Sequence, residues 1–385
     1  MDNLRPPPLI AVDARSALGH QSAGVPVFTR GLVASLKPLA TRYRFLFVVD
    51  QSPDAVSRLF PEDCTFFQTR VRLDDWHSRD LWLELVLPRW LERLGVAAYL
   101  GPDAVIPTFF PASFKRVSVI HDLAMFTPFD GQCLLKKLKL RWDYWRYARA
   151  ADLVLTDSDF SRETIAHRFP FAATKTVVIH SGIQPVYYEP VDEVLARRFM
   201  ESKGLRKGSY LLYFGGYKLN KNVRLLVRSL GFVSRELRQP LVLAGNVSPD
   251  VRRQLSTLAR ERSVDEHLVY TGYVSSEELK YLCYGCSAFV FPSLYEGFGL
   301  PPVEAMACGA PVIYNPVASL PEVCGEAGLR MTENTPESLG QLISRLLGDQ
   351  ALQEQLRKKG RLNAERFLWK LSVQRLGLHF DQLLS

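Results

Sequence analysis

Short apolar runs punctuate the first half of the chain: LIAVDA (9–14), FLFVV (45–49), CTFFQ (64–68), AAYL (97–100), RVSVI (116–120), LVLT (153–156) and TVVIH (176–180). Each is too short for a helix and rich in β-branched or aromatic residues, so each reads as a buried strand. Helical spacing appears between several of them, as in VPVFTRGLVASL, where Phe28, Leu32 and Leu36 share one face behind Pro26. This alternation predicts a doubly wound parallel sheet. After the Pro-rich stretch SGIQPVYYEP the pattern restarts with YLLYFGG, a helix from about Asn222 to Leu237, PLVLAG, a polar helix to about Arg262, LVYTGYV, a helix through Tyr284, and SAFVFPS. A boundary near residue 185 follows, which gives domains 1–185 and 186–365. The last stretch, RLNAERFLWKLSVQRLGLHFDQLL, is amphipathic, with Phe367, Trp369, Leu371 and Leu376 among its apolar residues, and predicts a terminal helix over 366–385.

Composition agrees with two cores, because 385 residues exceed one ordinary domain. A 47% hydrophobic and 23% charged chain is of soluble globular type. No run approaches the ~18 apolar residues of a spanning helix, and MDNLRPPPL has no apolar signal core, so a cytoplasmic protein is expected. Cys64, Cys133, Cys283, Cys286, Cys308 and Cys324 are scattered rather than arranged as a disulfide scaffold. Cys283 and Cys286 form a lone CxxC in apolar helical surroundings, which points to packing rather than zinc or redox chemistry. A net charge of +8 admits nucleic acid, an anionic membrane or phosphorylated ligands as partners. With no zinc-finger spacing, aromatic RNA-binding consensus or arginine-rich tail, no nucleic-acid partner is expected.

The densest chemistry lies in Ser293–Ile313, SLYEGFGLPPVEAMACGAPVI. Pro301 and Pro302 suit a first helical turn, Ala305 to Cys308 continue it, and Gly309 with Ala310 and Pro311 stops it. Glu296 to Leu300 is then a loop at a strand's carboxyl end, which in an open parallel sheet faces the ligand crevice and offers amides to a phosphate. Glu304 is expected in the first helical turn, where the macrodipole favours a carboxylate and its natural partner is a neutral diol such as a ribose. Glu296 is placed to meet a polyhydroxylated group or a developing positive charge. In isolation the two would be a dipole complement and a turn cap; their ordered combination favours a ligand.

Other carboxyl-end loops carry weaker signals. Arg15 to Val25 contains Gly19 and Gly24 ahead of a helix, which suits either a phosphate approach or a plain turn. His121 and Asp122 directly follow RVSVI, and GGYKLNKN puts Lys218 and Lys221 between a strand and a helix, where cations can meet a diphosphate. Ser158 or Asp159 is expected to cap the helix after LVLT. Residues 133–150, CLLKKLKLRWDYWRYARA, interleave basic residues with Leu134, Leu135, Leu138, Trp142 and Trp145. Such a helix either lies on an anionic bilayer with its basic side chains snorkelling, or packs its leucines and tryptophans onto the sheet.

EGFGLPPVE, with seven residues between Glu296 and Glu304, resembles the signature of the retaining, nucleotide-sugar-dependent glycosyltransferases of family four. That family has the GT-B fold: two Rossmann-like α/β domains face a cleft, and a C-terminal helix crosses back to the N-terminal domain. The resemblance implies that Glu296 touches the transferred sugar, that the backbone of Phe298, Gly299 and Leu300 contacts donor phosphate or sugar, and that Glu304 holds the ribose. It implies a donor-binding loop at Gly24, an active-site histidine at His121 donating to sugar or phosphate, and a diphosphate-binding lysine at Lys221. TGYVSSEEL matches the family's base-pocket loop, with backbone around Tyr273 and Val274 meeting the base. One departure is that many relatives carry an arginine where this chain has Gly216 or Asn220, for which Lys218 could compensate.

The function this implies is retaining hexosyl transfer from a nucleotide diphosphate sugar, GDP-mannose favoured and a UDP-sugar open, to a saccharide or lipid-linked acceptor. The setting it implies is polysaccharide, lipopolysaccharide or other envelope glycan synthesis at the inner face of the plasma membrane. The resemblance implies that no cofactor and no metal are needed. A sugar phosphorylase or epimerase on the same frame, or a non-catalytic partner in a membrane glycosyltransferase complex, are the competing readings.

Overall fold

Most of the apolar runs become strands buried on both faces, the condition for a parallel sheet covered by helices, while the edge runs TFFQ and LVYTG are only partly buried. The computed structural model describes residues 6–18, 24–52, 60, 64–71, 76–109, 112–128 and 133–385; Gly19 lies outside them. The chain divides into two units, the first drawn from Met1–Thr127, Gln132–Gly182 and Leu368–Ser385 and the second from Ile183–Phe367.

In the first unit, β1 (Leu9–Asp13), β2 (Arg44–Val49), β3 (Thr65–Gln68), β4 (Val96–Gly101), β5 (Lys115–Val119), β6 (Leu153–Thr156) and β7 (Thr176–Val178) pair in the order 3-2-1-4-5-6-7. All of these pairings are parallel. In the second, β8 (Leu211–Tyr213), β9 (Leu241–Ala244), β10 (Leu268–Gly272), β11 (Ala288–Phe291), β12 (Val312–Tyr314) and β13 (Leu329–Arg330) pair in parallel in the order 10-9-8-11-12-13. Both orders reverse beside their first strand, and a Rossmann sheet opens its binding crevice at that point. In the first unit this is between β1 and β4, in the second between β8 and β11.

Helix starts follow local capping chemistry. Ser158, not Asp159, is the N-cap of the helix Asp159–Arg168, its hydroxyl accepting the Ser161 N–H. Ser275 and Glu278 form a reciprocal capping box ahead of Ser276–Gly285. The helix expected over 222–237 is shorter, Val223–Ser229, followed by 3-10 turns at Leu230–Phe232 and Arg235–Leu237. Gly231 and the non-helical Val233 and Ser234 interrupt it.

The terminal stretch is also broken. The helix Gln350–Ala364 and the turn Glu365–Phe367 end in the second unit, where the Phe367 ring meets Phe298 at 5.3 Å. Trp369–Leu384 then packs on the first unit through Trp369, Val373, Leu376 and Phe380. Trp369 lies edge-on to Phe28 at 5.3 Å and fits over two glycines, because a Cβ on Gly31 or Gly182 would lie 2.3 or 2.5 Å from its ring.

Gly31 sits inside the helix Val25–Ala34, where alanine would ordinarily stabilise by about 1 kcal/mol. Gly31→Ala is instead expected to destabilise by about 1–3 kcal/mol, because the rigid indole cannot yield. A urea melt of the full chain should show an earlier transition that Trp369→Leu in the same chain restores; an unchanged midpoint in the single variant contradicts this packing.

Candidate active site

With no strand between β8 and β11, the loops leaving their carboxyl ends become neighbours. Gly215 and Gly216 turn out of β8 at φ 123° and 89°, conformations that favour glycine. The chain then runs through Lys218 to the turn Leu219–Lys221. The loop after β11 meets it there. Asn220 donates its side-chain amide to the Tyr295 carbonyl at 3.1 Å, and its own carbonyl accepts the Leu294 N–H at 2.7 Å. Asn220, one of the two positions compared above with an arginine, therefore ties the loops together.

That cross-link brings Lys221 and Glu296 into an ion pair. The ammonium meets both carboxylate oxygens, at 2.7 and 2.9 Å, and stands 5.6 Å from the centre of the Phe291 ring. Ser293, fully buried, lies 2.6 Å from Glu296 Oε1 and donates its hydroxyl there. Asn315 donates to the Ser293 carbonyl, and Ser319 to the carbonyls of Glu296 and Phe298, so the loop is held from beneath. Ser293, Asn315 and Ser319 escaped the sequence reading. Ser293, three residues ahead of Glu296 at a strand's end, was the one with a usable signal.

Gly299, at φ 103°, ends the loop and caps the helix Leu300–Ala307. A helix start leaves four amides unpaired, but Pro301 and Pro302 have none to offer. The donors that remain for an anion are those of Gly299 and Leu300. Phe298 is buried against Phe367, which leaves its backbone rather than its ring for a ligand.

Glu304 departs from expectation. It is the fifth residue of its helix, just beyond the first turn, because the helix already begins at Leu300, directly after left-handed Gly299 and ahead of the two prolines. The macrodipole therefore contributes little there. Its side chain is buried, and among the described residues no hydrogen bond reaches the carboxylate. Burial alone pushes its pKa up from 4.5 to about 7. The neighbouring Tyr187 hydroxyl is raised too, by its own burial first and the Glu304 charge second.

Tyr273 and Val274 follow the edge strand β10, Tyr273 exposed and Val274 packed on the core. Gly216 and Lys218 are exposed beside the β8 loop. Gly24 and His121 belong to the first unit. Gly24 caps the helix Val25–Ala34 at φ 71°, its carbonyl accepting the Val27 and Phe28 amides, with open space where a Cβ would lie. His121 pairs with Asp157 at 2.6 Å and with the Pro102 carbonyl at 2.8 Å, and Asp122 takes the Ala124 N–H and so shapes the loop.

Two Rossmann-like units, the second with a lysine and a carboxylate paired at its switch point, define a protein of the GT-B class. Residues 197–363 match the family described as glycosyl transferases group 1. Over 282 residues the chain is 33% identical to O-antigen chain mannosyltransferase B of Escherichia coli, which covers 71% of each protein. It is 28% identical over 240 residues to the serotype-specific mannosyltransferase WbdA of Escherichia coli, spanning 61% of this chain and only 29% of that protein. Among solved structures, HepE of Anabaena in complex with UDP and glucose matches in fold with a TM-score of 0.74 at 16% identity, over 98% of this chain and 100% of that one. The chain belongs to the group 1 glycosyl transferases.

The state of Glu304 has a measurable consequence. Its folded pKa, near 7, lies above the unfolded 4.5, so the folded state binds more protons between those values and loses stability as pH rises through them. The loss reaches at most about 3 kcal/mol above pH 7. Glu304→Gln should therefore melt above the wild type at pH 8 and with it at pH 5. A wild type that is the more stable at pH 8 would contradict the buried, partnerless carboxylate.

Proposed function

We propose that the protein is a retaining, metal-independent hexosyltransferase that moves mannose from GDP-mannose to a saccharide or lipid-linked saccharide in O-antigen-type polysaccharide synthesis. The Lys221–Glu296 pair at the β8–β11 switch point carries this reading. The likeness to O-antigen chain mannosyltransferase B supports the sugar and the setting. The UDP and glucose bound by HepE support a nucleotide-sugar donor and keep a UDP-sugar as the alternative.

An ammonium has three donors, and Glu296 takes two. The third, with the amides of Gly299 and Leu300, receives the donor's diphosphate. Glu304 accepts from the ribose hydroxyls, which supply the hydrogen bonds its carboxylate lacks. Backbone around Tyr273 and Val274 meets the base, and the loop carrying Gly216 and Lys218 flanks the phosphates. In the transfer step the bond from the anomeric carbon to the diphosphate oxygen breaks and its electron pair stays on phosphate. The acceptor hydroxyl bonds to the same face of the carbon, and its proton passes to the departing phosphate oxygen. Lys221 stabilises the charge growing on the leaving group. Glu296, held by Ser293, faces the developing positive charge on the sugar.

The first unit supplies a surface suited to the acceptor's environment. On the helix Leu134–Ala150, Leu134, Leu135, Leu138, Trp142 and Trp145 are all exposed along one face, with the two tryptophans stacked at 5.2 Å. Arg149 lies on that face over the Phe171 ring, and the exposed Lys136 lies near the helix start. Asp143 and Arg146, by contrast, are buried beneath. An exposed apolar face rimmed by cations matches the interface of an anionic bilayer. Among the described residues no helix is long and apolar enough to cross a membrane, so this contact is peripheral.

Calorimetry against GDP, UDP and ADP and their common sugars should give the tightest binding with GDP-mannose. Glu296→Ala should keep nucleotide binding and lose about 10²–10³ in turnover; undiminished transfer overturns the assignment. The protein should also sediment with phosphatidylglycerol vesicles at low salt and not with phosphatidylcholine vesicles, and Leu135→Glu with Trp142→Glu should abolish it. Equal sedimentation with both vesicles, or a dimer that those substitutions dissociate, removes the anionic-lipid reading.

A further inference from the structure

His121 is set in the first unit by strand register. Val119 of β5 pairs with Leu155 of β6, and the Ile120 N–H donates to the Leu155 carbonyl at 2.8 Å. Two residues further on, His121 and Asp157 are lateral neighbours at the carboxyl ends of adjacent parallel strands. Their side chains follow the same alternation and meet, Nδ1 lying 2.6 Å from Asp157 Oδ2. The other ring nitrogen, Nε2, lies 2.8 Å from the Pro102 carbonyl. Phe28 packs edge-on at 4.6 Å and fixes the ring plane. The backbone is held as well, because Ser161 donates its hydroxyl to the His121 carbonyl at 2.9 Å.

Both atoms facing the imidazole are acceptors. A carbonyl oxygen has no hydrogen to give, and a carboxylate beside an imidazole gives up its proton to the stronger base. A neutral ring would turn one lone pair against an acceptor, so the geometry requires a proton on each nitrogen. Asp157 needs that charge in return. It is buried, and its Oδ1 has no hydrogen-bond partner among the described residues, so His121 is the cation that balances it.

We propose that Asp157 is a positioning residue for glycosyl transfer: it holds His121 as an imidazolium, so that His121 meets a ligand as a fixed positive charge and N–H donor and not as a proton acceptor. The ligand-facing role rests on the donor reading above; the protonation state does not. With 17% of its side chain exposed, His121 remains within reach of a ligand. A phosphate or hydroxyl oxygen would replace the Pro102 carbonyl at Nε2, while Nδ1 stays on Asp157. Group by group, the charge balance agrees. Burial lowers the His121 pKa, but Asp157, the Pro102 carbonyl and Asp103 raise it more, to about 9. Asp122, next in the chain, adds a further carboxylate beside the loop. The acceptor's proton must then leave by another route, which fits its transfer to the departing phosphate.

The test is a pH titration of the full chain labelled with ¹⁵N-histidine, read from ring ¹H–¹⁵N spectra, the His121 signals being assigned by their loss in His121→Gln. Both ring nitrogens should stay protonated through pH 8 and titrate near 9. In Asp157→Asn the midpoint should fall by about two units or more, to the ordinary ~6.5 or below. One bare ring nitrogen in the wild type at pH 7 overturns the proposal, whether or not the variant folds. With GDP-mannose as probe, turnover by Asp157→Asn should fall as pH rises through its lowered midpoint while the wild type holds. Wild-type turnover lost near pH 7 counts against an imidazolium role. If GDP-mannose is not turned over at all, the donor reading fails and the ring titration decides the proposal alone.

Discussion

The direct contact between β8 and β11 is the constraint on which the site in the second unit depends. Because the chain runs outward from β8 to β9 and β10 on one side and resumes at β11 on the other, the two strands pair laterally while their connections diverge. Their carboxyl-end loops are thereby brought together at the switch point. Short polar residues stitch the seam: Asn220 to Tyr295, Ser293 to Glu296, and Asn315 and Ser319 from below. The Lys221–Glu296 pair is the product of that seam. A cation without its carboxylate, or the reverse, would be a largely buried charge lacking compensation, so the pair itself keeps the two loops in register.

The first unit solves a comparable problem with a different arrangement. At its β1–β4 switch point the carboxylate of Asp13 is buried and takes the Arg15 guanidinium at 2.6 and 2.9 Å and the Tyr99 hydroxyl at 2.9 Å. Arg15 also donates to the Val71 carbonyl and lies over the Trp82 ring. These charges are consumed internally, which ties down the start of the loop that leads to Gly24. Two strands further along, the His121–Asp157 pair retains some exposure. Phe28 touches both His121 and Trp369, so the terminal helix that crosses from the second unit's last turn helps set the plane of the histidine ring.

Much of the fold was legible because buried parallel strands are written as short apolar runs. LVLT and AFVF are bounded in the structure almost as in the sequence. Less legible were features decided by packing. The helix after Asn222 stops early, and the terminal segment breaks at Leu368, where the chain passes from one unit to the other; neither event interrupts the hydrophobic period. At the site, the spacing of the two glutamates and the glycines between them is a local property and could be read. Asn315 and Asp157 could not, because their partners, Ser293 and His121, come from a different loop or strand. Glu304 was misplaced by one residue, out of the first turn, since the first helical residue is Leu300, set by the conformation of Gly299 rather than by the prolines after it.

That displacement changes the chemistry assigned to the motif. A carboxylate in the first helical turn would be stabilised as an anion by the helix itself, and a ligand would add little. Placed beyond it, buried and without donors, Glu304 is strained toward its protonated form near neutral pH, while Glu296 is surrounded by the donors of Lys221 and Ser293. The two acids of one nine-residue motif thus face opposite environments. The first has its donors within its own loop and seam; the second is buried with none. Under the function proposed above, a diol would supply those donors where a phosphate could not, and the asymmetry would give the motif a direction, with the nucleoside at the Glu304 end and the sugar at the Glu296 end.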